Sequence, residues 1–418
     1  MKKFLALLIT ISMILTPQIK AKASEEPSII AEGAILMDLN TGEILYEKNA
    51  YKQFEPASIT KIITALITLE KTKLDDKVVV GKNPPYEDGS KIYLLEGEEL
   101  TVEQLLYALL LESANDAALA LAEHIAGSKE AFAKMMNEKA KEIGCKNTNF
   151  ENPNGLPEPN HYTTAYDMAL IAKKAMENPI FRKIVATKAY QIPPTNKQPE
   201  TRYFLNHNKL LTTQKHGYQW ADGIKTGYTG SARHTFVGSA TKGDQKLVAV
   251  VLKDDANFYN DVRKLFNYGF DNFTYNRIVS KSDVVSTINI DGDSNQIPVF
   301  PSEDYYITSP KDNEPLISKE VVLNKSFSSI KKGDVIGYLN ISVGDSKTKK
   351  IPLISGGNYE SSLYNLISTG NGYYKERIKL KIIYLSVGSV FGLFIISGFY
   401  RAMKTKRKKS GYKHSRLF

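Results

Sequence analysis

A single cysteine, Cys145, stands among the 418 residues, so the chain cannot close a disulfide on itself. Its surroundings, Ile143-Gly144-Cys145-Lys146, read as a helix end, where a packed thiol is expected rather than a reactive one. Histidine is also scarce: His124, His161, His207, His216, His234 and His414 show no metal-ligand spacing, and no metal or other cofactor is expected. No internal repeat is present. Tyrosine and phenylalanine are plentiful but scattered, which fits core and sheet packing and not a binding stripe.

Acidic residues are missing from both ends, and this decides how the net charge of +10 is read. Eight cations (Arg401, Lys404, Lys406, Arg407, Lys408, Lys409, Lys413 and Arg416) lie in the last eighteen residues, and Lys2, Lys3, Lys20 and Lys22 lie in the first twenty-three. Taking eight and four from ten leaves −2 for everything between. The basic balance therefore reports sorting and topology, and no nucleic-acid partner is expected. Residues 1–23 read as a secretory signal: two lysines, an apolar stretch from Phe4 to Leu15, and Ala21-Lys22-Ala23 as cleavage site. From Ile382 to Tyr400 no residue is charged, enough to cross a bilayer. The basic tail 401–418 then places itself in the cytoplasm and the rest outside, as a single-pass protein of the cytoplasmic membrane. The outer flank is basic as well (Lys375, Arg377, Lys379, Lys381), so the orientation rests on the signal and the larger inner excess.

Between these ends, Gly33–Lys48 alternates and turns at Asn40-Thr41-Gly42, predicting a β-hairpin. A helical period follows Ser58, and Thr101 to Gln104 has the pattern of a capping box opening another helix. Asp116–Ile125, Lys129–Glu142 and Thr163–Met176 are helical in pattern, and 151–162 is turn-rich loop. Thr235–Thr241 and Lys246–Lys253 read as strands, and Asp261–Phe273 as a closing helix. Early strands, a helical middle and late strands predict one α+β domain over 24–273, its sheet built from both ends of the segment. Residues 274–365 hold short β-rich runs and predict a small all-β domain. A polar linker at 366–381 leads to the span at 382–400.

Three short motifs carry the chemistry. Ser58-Ile59-Thr60-Lys61 puts hydroxyl and amine one helical turn apart, on one face. A lysine whose pKa is lowered by burial can take the serine proton. Ser113-Ala114-Asn115 follows, with a hydroxyl able to relay a proton and an amide able to bond both Lys61 and a substrate carbonyl. Lys225-Thr226-Gly227 reads as an edge strand whose lysine and threonine suit a carboxylate. Singly, Ser58 is an ordinary cap, Asn115 a helix cap and Lys225-Thr226-Gly227 a turn. Their order, their spacing and the secreted context together point to a serine acyl-transfer site.

The chain resembles the low-molecular-mass penicillin-binding proteins of the D-alanyl-D-alanine carboxypeptidase family, serine peptidases of the S11 type. The likeness extends to Ala34-Ile35-Leu36-Met37-Asp38, Pro56-Ala57-Ser58, Asn152-Pro153-Asn154-Gly155-Leu156, His161-Tyr162-Thr163-Thr164-Ala165 and Asp222 to Thr229. It implies a β-lactamase/transpeptidase-like α+β domain, an antiparallel sheet plus a helical subdomain, followed by the small β domain. Ser58 would be the acylated nucleophile, Lys61 its base and Ser113 a proton-transfer partner. Asn115, Lys225 and Thr226 would bind substrate, and the amides of Ser58 and Tyr228 would form the oxyanion hole. The implied substrate is a peptidoglycan stem peptide, and β-lactam antibiotics would acylate the same serine. Two departures stand out. Ala232-Arg233-His234 replaces the usual Ala-Gly, and Asn257-Phe258-Tyr259-Asn260 lacks the arginine that helps the family hold the substrate carboxylate. Arg233 is the expected replacement. Two rival readings remain open: a β-lactamase, disfavoured because Glu151-Asn152-Pro153-Asn154 lacks the water-activating pattern, and a penicillin-binding scaffold or sensor with little turnover.

Overall fold

Gly33–Asp38 (β1) is buried at every position, because both faces of the sheet it belongs to are covered. Ile35 and Met37 enter one core, with Met168, Ile171 and Ala172. Ala34 and Leu36 enter a second, with Val262, Leu265 and Phe266. A strand covered on both sides reads as a continuous apolar run, and that is the sequence of β1. Ile44–Lys48 (β2) pairs with it after a turn in which Asp38 Oδ1 accepts from the amides of Asn40 (2.8 Å) and Thr41 (3.0 Å). The partners on the other side come from far along the chain: Ala221–Thr229 (β3), Arg233–Lys242 (β4) and Gln245–Asp254 (β5). The antiparallel order is β2-β1-β5-β4-β3, so the sheet is built from both ends of the segment and β3 is an edge.

The helical middle forms the first core. Lys61–Lys71 (α1) is buried from Lys61 to Thr68 and is packed among Asn115–Ala126 (α2) and Ala165–Glu177 (α3). The helix Val102–Tyr107 opens on the expected capping box: Thr101 Oγ1 accepts from Gln104 N at 3.2 Å, and Gln104 Oε1 accepts from Thr101 N at 2.8 Å. Phe258–Asn272 (α4) covers the opposite face of the sheet. Cys145 is half-buried with its Sγ 3.6 Å from the Asp167 carbonyl, and burial pushes its thiol up, out of the reactive range.

The computed structural model describes residues 26–255, 257–289, 296–324, 329–344 and 347–360. The expected signal, linker, membrane span and basic tail lie outside the described residues. Among the described residues no helix is long and apolar enough to cross a membrane. The chain divides into two units, and the described residues of the second are all-β: Ser286–Asn289, Gln296–Pro301, Lys347–Ser355, Val335–Val343 and Ile317–Leu323 form an antiparallel sheet in that spatial order. Its core holds Val299, Leu339, Ile341, Ile351 and Leu353. Tyr306–Pro315 returns to the first unit, where Thr308 Oγ1 donates to Asp38 Oδ2 at 2.9 Å and Lys311 N donates to the Asn272 carbonyl at 2.9 Å.

Two buried carboxyls sit where β5 meets α4. Asp254 Oδ1 accepts from Asn257 N (2.8 Å), and Asp261 Oδ2 accepts from Ala31 N (3.1 Å). Their other oxygens, Asp254 Oδ2 and Asp261 Oδ1, are buried without a hydrogen-bond donor. Burial, reinforced by the neighbouring Asp261, pushes Asp254 up to about 6. A carboxyl with a raised folded-state pKa takes up a proton on folding, so its contribution is present at low pH and lost as pH rises through about 6. Asp254→Asn keeps the acceptor for Asn257 and removes the charge. We expect the variant to melt higher than wild type at pH 7.5, by about 2–4 °C per kcal/mol gained, and the difference to shrink at pH 5. Melting curves that differ equally at both pH values would rule this account out.

Candidate active site

Ser58 lies not on an α-helix but in a 3-10 turn, Ala57–Thr60, and α1 begins at Lys61. The turn is entered through Ala57 at φ +51°, a conformation that alanine adopts only when its surroundings demand it. Those surroundings are two glycines. A Cβ on Gly155 would lie 1.9 Å from the Ala57 carbonyl oxygen, and one on Gly227 would lie 2.8 Å from Ser58 N. Gly227 thus lets the edge strand β3 run directly alongside the Ser58 backbone.

Lys61 is wholly buried, with its Nζ 2.9 Å from Ser58 Oγ. The same nitrogen donates to the Asn154 carbonyl at 2.7 Å. Burial, and after it the nearby Lys225 charge, holds the amine well below the usual lysine range. The motifs do not reveal this contact, because Asn154 makes it through its backbone. Its loop is held by His161, which is buried: Glu151 N donates to Nδ1 (3.1 Å), which leaves Nε2 protonated to donate to Thr60 Oγ1 (2.9 Å). Burial lowers this imidazole to about 4, so it stays neutral and keeps that tautomer.

Ser113 follows a π-turn, Ala108–Glu112, and stands in the left-handed region at φ +63°. It faces the same cleft as Ser58. Asn115, the next motif residue, spends its Nδ2 on the Asp88 carbonyl (2.6 Å), while its Oδ1 is buried with no partner. Lys61 is bonded to Asn154 and not, as the sequence suggested, to Asn115. Lys225 is buried on β3, its Nζ donating to the Thr226 carbonyl at 3.0 Å, and burial lowers it to about 7.

A cleft of about 510 Å³ joins these parts, with Ser58, Ser113, Thr226, Gly227 and Tyr228 on its walls. Lys209, His216, His234, Phe258 and Tyr259 line it too. Among the described residues no carboxylate does. Arg233 is absent from the lining. It is exposed, and its Nε lies 3.9 Å from Asp255 Oδ1.

A family model described as D-alanyl-D-alanine carboxypeptidase matches residues 20–256. The chain belongs to that family. A second model, described as penicillin-binding protein 5, C-terminal domain, matches residues 273–361. Among curated proteins, D-alanyl-D-alanine carboxypeptidase DacF of Bacillus subtilis is 35% identical over 356 residues, 81% of this chain and 90% of the relative. DacC of Escherichia coli is 32% identical over 357 residues, 80% and 86% of the two chains. Among solved structures, penicillin-binding protein 5 from Haemophilus influenzae matches with a TM-score of 0.66 at 30% identity, over 81% of this chain and 99% of that one. A peptidoglycan synthesis regulatory factor (PBP3) from Streptococcus pneumoniae gives 0.68 at 27% identity, over 80% and 100%. The carboxypeptidase is thus a serine hydrolase with the α+β penicillin-binding fold and a C-terminal all-β domain.

Proposed function

We propose that this D-Ala-D-Ala carboxypeptidase trims peptidoglycan stem peptides through an acyl-enzyme on Ser58. The observation that carries the reading is the buried Lys61 amine, 2.9 Å from Ser58 Oγ and lowered toward the neutral form. A neutral amine gives one N–H to the Asn154 carbonyl and turns its lone pair to the serine hydroxyl. As Ser58 Oγ bonds to the penultimate D-alanine carbonyl carbon, its proton passes to Lys61. The amides of Ser58 and Tyr228 hold the oxyanion. The tetrahedral intermediate then collapses with cleavage of the C–N bond, and the leaving D-alanine nitrogen takes a proton from Lys61, relayed by Ser113. Water, activated by the neutral lysine, hydrolyses the ester and restores Ser58. Asn115 Oδ1, buried and unpartnered, is the acceptor for a substrate N–H. Lys225 and Thr226 face the terminal carboxylate.

β-Lactams enter the same cycle and stall. The opened ring keeps the leaving nitrogen attached to the acyl group, where it obstructs the water that Lys61 would activate. Among the described residues no carboxylate lines the cleft to assist that water, and Glu151 is turned away, accepting from Asn160 N at 3.1 Å. That favours a penicillin-sensitive carboxypeptidase over a β-lactamase. The uncharged run 382–400 and the tail 401–418 anchor the chain in the cytoplasmic membrane with the catalytic domain on the wall side.

Two measurements test this. After incubation with benzylpenicillin, peptide mass mapping should find the added penicilloyl group on the peptide holding Ser58 and on no other. The acylation rate should fall on acidification, because protonated Lys61 cannot accept the serine proton, with an acid limb well below the ordinary lysine pKa. Acylation elsewhere, or an acid limb at the ordinary lysine pKa, would defeat the proposal.

A further inference from the structure

A carboxypeptidase must bind the negative charge at the end of its substrate, and the motif residues of this chain leave that charge poorly answered. Lys225 is engaged with the Thr226 carbonyl and, at about 7, is only partly charged at neutral pH. Arg233 is drawn outward to Asp255. The first turn of α4 offers two aromatic rings, Phe258 and Tyr259, and no cation. The cleft lining beside Tyr259 offers Lys209 and His216.

Tyr259 sets both in place. Its hydroxyl donates to the His207 carbonyl (2.9 Å) and accepts from Lys209 N (3.1 Å), which clamps the backbone on either side of Asn208. Its ring packs against the His216 imidazole at 5.2 Å between centroids. Lys215, Lys209 and Arg263 all act on His216, which burial and their charges lower from its usual pKa. His216 is therefore neutral at pH 7 and offers an N–H donor beside the Lys209 charge. Among the described residues Lys209 has no acidic partner. A cation without a counter-ion, next to a neutral donor, on the wall of a cleft without carboxylates, is a site for an anion.

We infer that Lys209, assisted by His216, binds the terminal carboxylate of the substrate, so that this chain anchors its carboxylate subsite on residues 207–216 instead of on an arginine. The inference rests on the Ser58-centred reading above. It makes Lys209 a determinant of the preference for a free C-terminal carboxylate.

The test measures kcat/KM of the full chain on diacetyl-L-Lys-D-Ala-D-Ala and on the same peptide with an amidated C-terminus. In Lys209→Met the preference for the acid over the amide should shrink about tenfold or more, mainly through KM. Lys209→Arg should recover most of it, and Arg233→Ala should leave it unchanged. Lys209 is exposed, so neither change at that position threatens the fold. Equal losses on both peptides, or an unaltered preference in Lys209→Met, would overturn the inference and leave the Ser58 reading standing. A preference lost in Arg233→Ala would return the subsite to that residue. Wild type that takes fluorescent penicillin but releases neither D-alanine from the acid nor D-alaninamide from the amide would overturn both.

Discussion

Ser58→Ala should lose D-alanine release by about 10⁴-fold or more and should no longer take up fluorescent penicillin. Both readouts fall together because both reactions begin with the same bond, from Oγ to a carbonyl carbon. The change is small in every other respect. Ser58 is half-buried, sits in a turn held by Gly155 and Gly227, and its backbone amide, the other part it plays, is untouched. The variant should therefore melt within a degree or two of wild type. Labelling that survives the substitution would place the nucleophile elsewhere. Labelling of wild type without D-alanine release would favour the scaffold reading.

Lys61→Met is expected to slow acylation by about 10²–10⁴-fold, the usual range for removing a positioned base. Methionine fills nearly the same buried volume, which separates lost chemistry from a new cavity. Two stability effects oppose each other in this variant. Removing a fully buried amine relieves its desolvation, while the Asn154 carbonyl loses its donor, a cost of about 1–3 kcal/mol. The melting temperature should accordingly move little while the rate collapses. Lys61→Arg is the sharper control: it keeps hydrogen-bond donors and places a permanent cation there, but a guanidinium does not deprotonate, so it should not restore acylation. Penicillin acylation of Lys61→Arg at near the wild-type rate would show that Lys61 acts by charge and not as a base.

Glycine and hydrogen-bond geometry account for what the linear motifs leave out. The capping box at Thr101 and Gln104 is legible because its partners are three residues apart. The alternation of Ile35 and Met37 with Ala34 and Leu36 is legible because a strand's two faces are set by a period of two. The nearness of Ser58 and Lys61 is legible for the same local reason, although the segment begins as a 3-10 turn. The Asn154 carbonyl is not, since any residue type presents a carbonyl and 93 residues separate it from Lys61. Nor is the return of Tyr306–Pro315 to the first unit, which rests on contacts such as Thr308 with Asp38, 270 residues apart.

The amino-acid sequence by itself determined the chemistry of this protein: a serine with a lysine one turn away, two supporting motifs in order, and a family. Those are local spacings of reactive groups, and side-chain chemistry travels with them. Only the tertiary structure decided where two cations stand, Arg233 outside the cleft lining and Lys209 within it. The sequence points to Arg233 and does not single out Lys209. Asp255 draws one outward and Tyr259 sets the other on the cleft wall, because a side chain's direction depends on neighbours that only folding brings together.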